Sequence, residues 1–407
     1  MKCGLLGRKL GHSYSPQIHA LLGNYSYQLF EKEPEEIGDF LKNGDFTGLN
    51  VTIPYKKEVI PFLDELSPAA ARLGAVNTIV RRDGKLIGHN TDYFGFRRLV
   101  QESGLQVAGK KVLVLGSGGA SSTAVAVLQE LGAKVTVISR SGENNYENLD
   151  RHADAAVIAN TTPVGMYPNT GKSALSLEGF PRLEGVLDAV YNPARTQILL
   201  DAEHRGLAAV NGLWMLVAQA KESAEWFTGE EIPGSRIAKI HHTLRLQMEN
   251  IILIGMPGCG KTAVGQQLAQ KLGKKFVDAD ESLEARVCRK ITDIIPNDGE
   301  TAFREMESET LAELGKQSGL VIATGGGCVT QPQNYPLLHQ NGTIFWLKRE
   351  LDKLPTDGRP LSQKGTLGQM YEARMPLYLR FADAAISNDG SIAETASAIC
   401  RKLEETT

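Results

Sequence analysis

Residues able to bind phosphate stand at two points of this 407-residue chain, and at both of them glycines open the approach. In Gly255-x-x-x-x-Gly260-Lys261-Thr262 the spacing is that of a P-loop. Backbone N–H groups of such a loop cradle phosphates, the lysine reaches the β/γ oxygens and the hydroxyl ligates magnesium. Pro257, Gly258, Cys259, Gly260, Lys261 and Thr262 are therefore candidate contacts to ATP or GTP, with Cys259 read as a tolerated small residue. The other turn, Gly116-Ser117-Gly118-Gly119-Ala120, suits a pyrophosphate on a helix N-terminus, with Ser121 where glycine or alanine usually sits. Alone it is also compatible with an ordinary tight turn. The next strand, however, ends in Ser139-Arg140-Ser141 and not in an acidic residue, and arginine there suits the 2′-phosphate of NADP.

Both turns need a strand before them and a helix behind them, and the sequence supplies each. Lys111 to Leu115 leads into the first turn, a helical pattern runs through Val125 to Leu131, and a second strand covers Lys134 to Ile138. Ile251 to Ile254 leads into the second, followed by a helix through Gln266 to Leu272 and a strand at Lys275 to Asp278. Strands alternating with helices of this length indicate parallel, doubly wound α/β sheets in both halves. A helical pattern from Leu213 to Phe227 and a polar one reaching about Gln247 set the boundary between the halves near 245–249.

Composition narrows the class. With 42% hydrophobic and 22% charged residues the chain reads as globular, and a formal charge of −3 gives no basic field for nucleic acid or an anionic membrane. No apolar run approaches the roughly 20 residues of a membrane span, and the N-terminus lacks a signal-peptide core, so the expected location is the cytoplasm. Cys3, Cys259, Cys288, Cys328 and Cys400 are odd in number and widely spaced, which predicts reduced thiols and no zinc site. His12, His19 and His89 match no metal-ligand spacing either.

Ahead of the first glycine turn lie Gly11-His12-Ser13-Tyr14-Ser15-Pro16, Asn50-Val51-Thr52-Ile53-Pro54-Tyr55-Lys56, Gly74-Ala75-Val76-Asn77-Thr78 and Gly88-His89-Asn90-Thr91-Asp92. After it come Asn160-Thr161-Thr162-Pro163-Val164-Gly165-Met166, Asp188-Ala189-Val190-Tyr191-Asn192-Pro193 with Thr196, and Gly212 followed by Met215 to Ala220. In this order and spacing they resemble shikimate dehydrogenase over roughly residues 1 to 240. The resemblance implies that Ser13, Ser15, Thr52, Asn77, Asp92, Tyr191 and Gln219 bind a polyhydroxylated cyclohexene acid, with Lys56 and Asp92 at the reacting carbon. An ammonium held beside a carboxylate can polarise a ketone and protonate the alkoxide that hydride addition creates, so Lys56 is the expected proton donor and Asp92 its orienting partner. Gly116, Ser117, Gly118, Gly119, Ala120, Ser139, Arg140, Ser141, Ala189 and Gly212 are the expected NADP contacts.

In the C-terminal part, Asp278-Ala279-Asp280, Gly299-Glu300-x-x-Phe303-Arg304-x-x-Glu307, Gly325-Gly326-Gly327, Gly358-Arg359-Pro360-Leu361 and Arg374-x-x-Leu377-Tyr378 resemble shikimate kinase across about 247 to 400. That resemblance implies that Asp280 binds the hydroxyl to be phosphorylated and is the candidate base. It gives Arg304, Gly326 and Arg374 to the substrate carboxylate, Thr262 and Asp278 to magnesium, and Arg359 to a lid over the phosphates. Two arginines can clamp a carboxylate, and a third charge can neutralise a phosphoryl group in transfer. Lys353 stands where the family commonly has an arginine that stacks on adenine.

The expected architecture is an α/β substrate domain at 1–92, completed by helices in 211–245, a Rossmann NADP domain at 93–210, and a P-loop kinase-like parallel α/β domain at 247–407. The expected chemistry is NADPH-dependent reduction of 3-dehydroshikimate to shikimate, then ATP- and Mg2+-dependent phosphorylation of shikimate. The partners are small molecules, with neither nucleic acid nor membrane, and the oligomeric state is open. A quinate/shikimate dehydrogenase using NAD is disfavoured by Arg140; an inactive metabolite sensor is disfavoured by the presence of Lys56, Asp92, Lys261 and Asp280.

Overall fold

The computed structural model describes residues 1–11, 13–354 and 367–405. Two compact units emerge, one formed by Met1–Gly165, Lys172–Tyr191 and Ile198–His242, the other by Met166–Gly171, Asn192–Gln197 and Thr243–Thr407. Among the described residues no helix is long and apolar enough to cross a membrane.

The first unit holds two sheets. One is mixed, in the order Ser26–Glu31, Lys2–Gly7, Gly48–Val51, Thr78–Arg82, Lys85–His89, Glu65–Leu66. Its first three strands run parallel, but Gly48–Val51 meets Thr78–Arg82 antiparallel, and Thr78–Arg82 and Lys85–His89 form a hairpin. The doubly wound parallel reading rests on the strands beside the two glycine turns, and this mixed sheet adds antiparallel pairing to the first half. Asp83 and Gly84, both at positive φ (51° and 80°), close the hairpin in two residues, the geometry that matches strand twist. The hairpin brings Asn77 and Asp92, which flank it in sequence, back to one end of the sheet.

The other sheet of this unit is all parallel, in the order Ala208–Val210, Gly185–Asp188, Val157–Asn160, Lys111–Leu115, Lys134–Ile138. Alternate side chains of Lys111–Leu115 enter different cores: Val112 and Val114 pack with Ala124 and Val127, while Leu113 and Leu115 pack with Ile158 and Ile198. Both faces are thus covered, as a parallel sheet requires. The chain order reverses around Lys111–Leu115, and the crevice beyond the strand ends there is the place where such sheets bind ligands.

Among the described residues the second unit has one parallel sheet, in the order Lys275–Asp278, Leu320–Ala323, Asn250–Ile254, Gly342–Lys348, Ala384–Ser387. Asn250–Ile254 is its central strand, fully buried, and the helix Lys261–Leu272 begins directly after the glycine loop. The helical stretch Ile291–Lys316 is broken at Gly299 (φ 90°, ψ 164°), which starts a fresh helix just before Glu300.

Helix Asp92–Glu102 packs along helix Leu213–Thr228, and glycine lets them touch. A Cβ on Gly95 would lie 2.6 Å from the Met215 carbonyl oxygen and 3.0 Å from Cβ of Gln219. We expect Gly95→Ala to cost about 1 to 3 kcal/mol as the helices are forced apart. Thermal denaturation followed by tryptophan fluorescence checks this, and an unchanged midpoint would contradict it.

Candidate active sites

Asp92 opens its helix, and Lys56 sits in the turn after Gly48–Val51, where its carbonyl accepts the Val76 N–H at 2.7 Å. Their side chains meet with Lys56 Nζ 2.5 Å from Asp92 Oδ2, the lysine 27% exposed and the aspartate 12%. A pair so placed is mostly buried yet still reached by solvent, which suits a group that must receive and deliver a proton.

Beneath the pair lies a buried polar network. Asn77 Oδ1 accepts the Thr91 N–H at 2.7 Å, and Asn77 Nδ2 donates to Thr91 Oγ1 at 3.0 Å. Gln219, one helix away, approaches Thr91 Oγ1 at 3.5 Å. Ser13 accepts the Ser15 N–H at 3.2 Å, and the intervening Tyr14 packs edge-on against Tyr191 with centroids 6.2 Å apart. Burial raises the Tyr191 hydroxyl's pKa, so the phenol stays protonated. Thr52 is tied by its N–H to the Leu6 carbonyl at 2.9 Å, at the end of the adjacent strand. His19 is fully buried, with Nδ1 2.6 Å from the Tyr25 hydroxyl, and burial lowers its pKa to about 3. His89 stacks on Trp226 at 3.7 Å, and His12 lies outside the described residues. Among the described residues no group of three or more metal-ligating side chains forms.

At the parallel sheet, Gly116 takes φ 110° and its N–H bonds to the Ile138 carbonyl at 2.8 Å. Ser121 fills the third glycine's place and donates to the Gly116 carbonyl at 2.7 Å, bracing the turn. A Cβ on Gly118 or Gly119 would meet nothing within 4 Å, so open space faces the helix N-terminus. Ser117 lies in the same turn and Ala120 in the first turn of the helix Gly119–Glu130, and Ser139, exposed Arg140 and Ser141 follow the neighbouring strand. Ala189 and Gly212 are brought together so closely that a Cβ on Gly212 would lie 2.1 Å from the Ala189 carbonyl oxygen. Asn160 and Asp188, buried and 2.9 Å apart, pin the two strand ends between them.

In the second unit a cavity of about 430 Å³ is bounded by Pro257, Gly258, Gly260, Lys261 and Thr262 on one side and by Asp280, Arg304, Gly326 and Arg374 on the other. Lys261 Nζ folds across the loop onto the carbonyls of Gly255 and Met256, at 2.9 and 3.1 Å. Thr262 Oγ1 donates to Asp278 Oδ2 at 2.9 Å, while Asp278 Oδ1 caps the next helix through the Asp280 N–H. Cys259 is buried behind the loop. Arg304 donates to Glu307 at 2.8 Å and to Glu300 at 3.2 Å, all on one face of the helix that Gly299 restarts. The Gly326 carbonyl accepts from Arg374 at 3.2 Å and from the Tyr378 hydroxyl at 2.5 Å. Each of the three glycines 325–327 is hemmed in: a Cβ would meet Glu307 and Asp280 at Gly325, Pro257 at Gly326 and Arg304 at Gly327. Lys353 pairs with Glu350 at 2.7 Å, and Gly358, Arg359, Pro360 and Leu361 lie outside the described residues.

Three contributors escaped the sequence reading. Ser223 joins the Asn77 network, and its only sequence signal is its place one helical turn after Gln219. Asn388 donates to the Cys259 carbonyl at 2.6 Å and props the phosphate loop from behind, without any local signature. Glu307 ends the motif that begins at Gly299, and its spacing of three from Arg304 is the sequence signal for their pairing.

Comparison with known proteins fits this geometry. The family described as shikimate dehydrogenase substrate binding domain matches residues 5–79, and the family described as shikimate kinase matches residues 257–404. The chain is 37% identical to shikimate dehydrogenase (NADP(+)) of Clostridium perfringens (strain SM101 / Type A) over 264 residues, 60% of this chain and 97% of that protein. It belongs to the shikimate dehydrogenase family. The structure of shikimate dehydrogenase 1 from Peptoclostridium difficile is similar at TM-score 0.56 and 38% identity, covering 60% of this chain and 98% of that one. Shikimate 5-dehydrogenase of Thermus thermophilus, solved in complex with NADP(H) and shikimate, matches at TM-score 0.54 and 30% identity, covering 60% and 99%. With a shikimate kinase domain following, the chain is a dehydrogenase–kinase fusion and a bifunctional enzyme of the shikimate pathway.

Burial, aided by Glu307 and Asp278, raises the pKa of Asp280 from the usual 3.8 to about 6. The folded value exceeds the unfolded one, so the folding penalty is absent below about pH 4, grows as pH rises and is complete above about 6. Asp280→Asn is therefore expected to stabilise the second unit at pH 7.5 by up to about 3 kcal/mol and to have little effect at pH 4. Urea denaturation at the two pH values measures this; equal effects at both would contradict it.

Proposed function

We propose that residues 1–245 reduce 3-dehydroshikimate to shikimate with NADPH, and that residues 247–407 phosphorylate shikimate at its 3-hydroxyl with ATP. For reduction, the observation that carries the reading is the Lys56–Asp92 pair at 2.5 Å above the Asn77, Thr91 and Gln219 network. For phosphorylation it is Asp280 in one cavity with the phosphate loop.

NADPH, when bound, supplies hydride to the carbonyl carbon. The open approach at Gly118 and Gly119 and the exposed Arg140 fit its pyrophosphate and 2′-phosphate, with Ser117, Ala120, Ser139, Ser141, Ala189 and Gly212 completing the contacts. Ser13, Ser15, Thr52, Asn77, Tyr191 and Gln219 hold the substrate hydroxyls and carboxylate. Lys56 donates to the carbonyl oxygen and gives up a proton as that oxygen becomes an alkoxide, while Asp92 holds the ammonium in line and binds a substrate hydroxyl.

In the second unit Asp280 accepts the proton of the attacking hydroxyl. A base whose pKa is about 6 is ionised at neutral pH yet close enough to it for efficient transfer. Arg304, the Gly326 backbone and Arg374 hold the carboxylate, and Lys261 and the loop N–H groups hold the phosphates. A hydroxyl and a carboxylate, Thr262 and Asp278, are a donor set that suits Mg2+ completed by phosphate and water oxygens.

Lys56→Ala is expected to lower reductase kcat at least about a hundredfold and leave phosphorylation intact, and Lys261→Ala to do the reverse. NADPH oxidation and ADP release, assayed separately on both variants, provide the check. Loss of both activities from either substitution would contradict independent sites.

A further inference from the structure

Ser223 has no solvent exposure, yet four polar groups converge on its hydroxyl. Asn50 Nδ2 lies 2.8 Å away, Thr78 Oγ1 2.8 Å, Thr91 Oγ1 2.9 Å and the Gln219 carbonyl 2.9 Å. A hydroxyl has one proton and two lone pairs, so these four neighbours restrict where every proton can go. Asn50 Nδ2 can only donate and the Gln219 backbone carbonyl can only accept, so Ser223 gives its proton to the carbonyl and accepts from Asn50 Nδ2 and from a threonine hydroxyl. Thr91 Oγ1 accepts from Asn77 Nδ2 at 3.0 Å, and for its own proton Ser223 Oγ at 2.9 Å is a nearer acceptor than Asn77 Oδ1 at 3.2 Å. The Thr91 N–H, which can only donate, sets Asn77 Oδ1 toward it, and Ser223, by taking the Thr91 hydroxyl proton, leaves Thr91 Oγ1 as the acceptor that holds Asn77 Nδ2 in that orientation.

We infer that Ser223 is a positioning residue for substrate recognition in the reductase, acting through Thr91 and Asn77 on the amide orientation that reads the substrate's hydroxyls. Tyr27 anchors the far end of the chain by donating to Asn50 Oδ1 at 2.8 Å. Fixing donors in advance favours the ligand with hydroxyls in the matching places, because an analogue lacking one leaves a buried group unpaired. The inference rests on the reductase reading of the Lys56–Asp92 site.

The test uses the full chain with Ser223→Ala and, in case the alanine variant fails to fold, Ser223→Cys, which keeps side-chain volume but forms only weak hydrogen bonds. Both are expected to raise KM for 3-dehydroshikimate roughly tenfold or more while kcat and KM for NADPH change less than about threefold. Discrimination against a substrate analogue lacking one ring hydroxyl should fall by a similar factor, a change that a loss of stability alone would not produce. The retained kcat and the unchanged KM for NADPH report that the reductase unit itself is folded. If wild-type protein reduces 3-dehydroshikimate and the folded variants show unchanged KM and discrimination, the role of Ser223 is overturned. If wild-type protein does not reduce 3-dehydroshikimate at all, it is the reductase reading that falls.

Discussion

Everything in this chain depends on bringing bare backbone N–H groups to the ends of parallel strands. A phosphate held there is stabilised by unpaired amide donors at a helix N-terminus, and any side chain in the way would abolish the approach. Gly116, Gly255, Gly258 and Gly260 all adopt positive φ. At Gly255 and Gly260 a Cβ would also strike the Leu347 carbonyl oxygen at 2.6 Å or the Asn388 amide nitrogen at 2.7 Å. The glycines therefore serve two ends: they permit the turn, and they let the loop rest on the residues that hold it still.

Around these turns each unit meets the cost of burying polar groups in its own way. The first satisfies hydroxyls and amides with one another, from Tyr27 through Asn50, Ser223 and Thr91 to Asn77, and sets the Lys56–Asp92 pair next to them. The second accepts an electrostatic penalty, setting Asp280 near Glu307 with Arg304 between charges of opposite sign. Burial likewise raises the pKa of Glu307, so the site gathers groups whose protonation responds to a bound anion or cation. A neutral network suits recognition of hydroxyls, and a strained carboxylate suits taking up a proton.

Much of this was legible in the sequence, for identifiable reasons. The strands Lys111–Leu115 and Lys134–Ile138 emerged at the expected residues because a buried parallel strand is a short apolar run with a glycine turn at its end. Lys56 and Asp92 were reached through the resemblance of their motifs to shikimate dehydrogenase, since each motif taken singly also reads as a capped turn. The mixed sheet was not read, although Asp83-Gly84 between Arg82 and Lys85 is a hairpin signal, because alternation of strands with helices elsewhere dominated the pattern. Ser223 and Asn388 were hidden for a different reason. Each is one small polar residue in a helix or after a strand, and its significance lies in partners far away in sequence, up to 173 residues for Ser223 with Asn50 and 129 for Asn388 with Cys259.

The claim most exposed to experiment is that one chain carries two successive reactions. Incubating the intact protein with NADPH, 3-dehydroshikimate and MgATP, and following the products by mass spectrometry, tests it directly. Shikimate is expected to appear first and to be converted to shikimate 3-phosphate, with one NADPH oxidised and one ADP released for each. Shikimate accumulating without phosphorylation, or 3-dehydroshikimate persisting while added shikimate is phosphorylated, would contradict it.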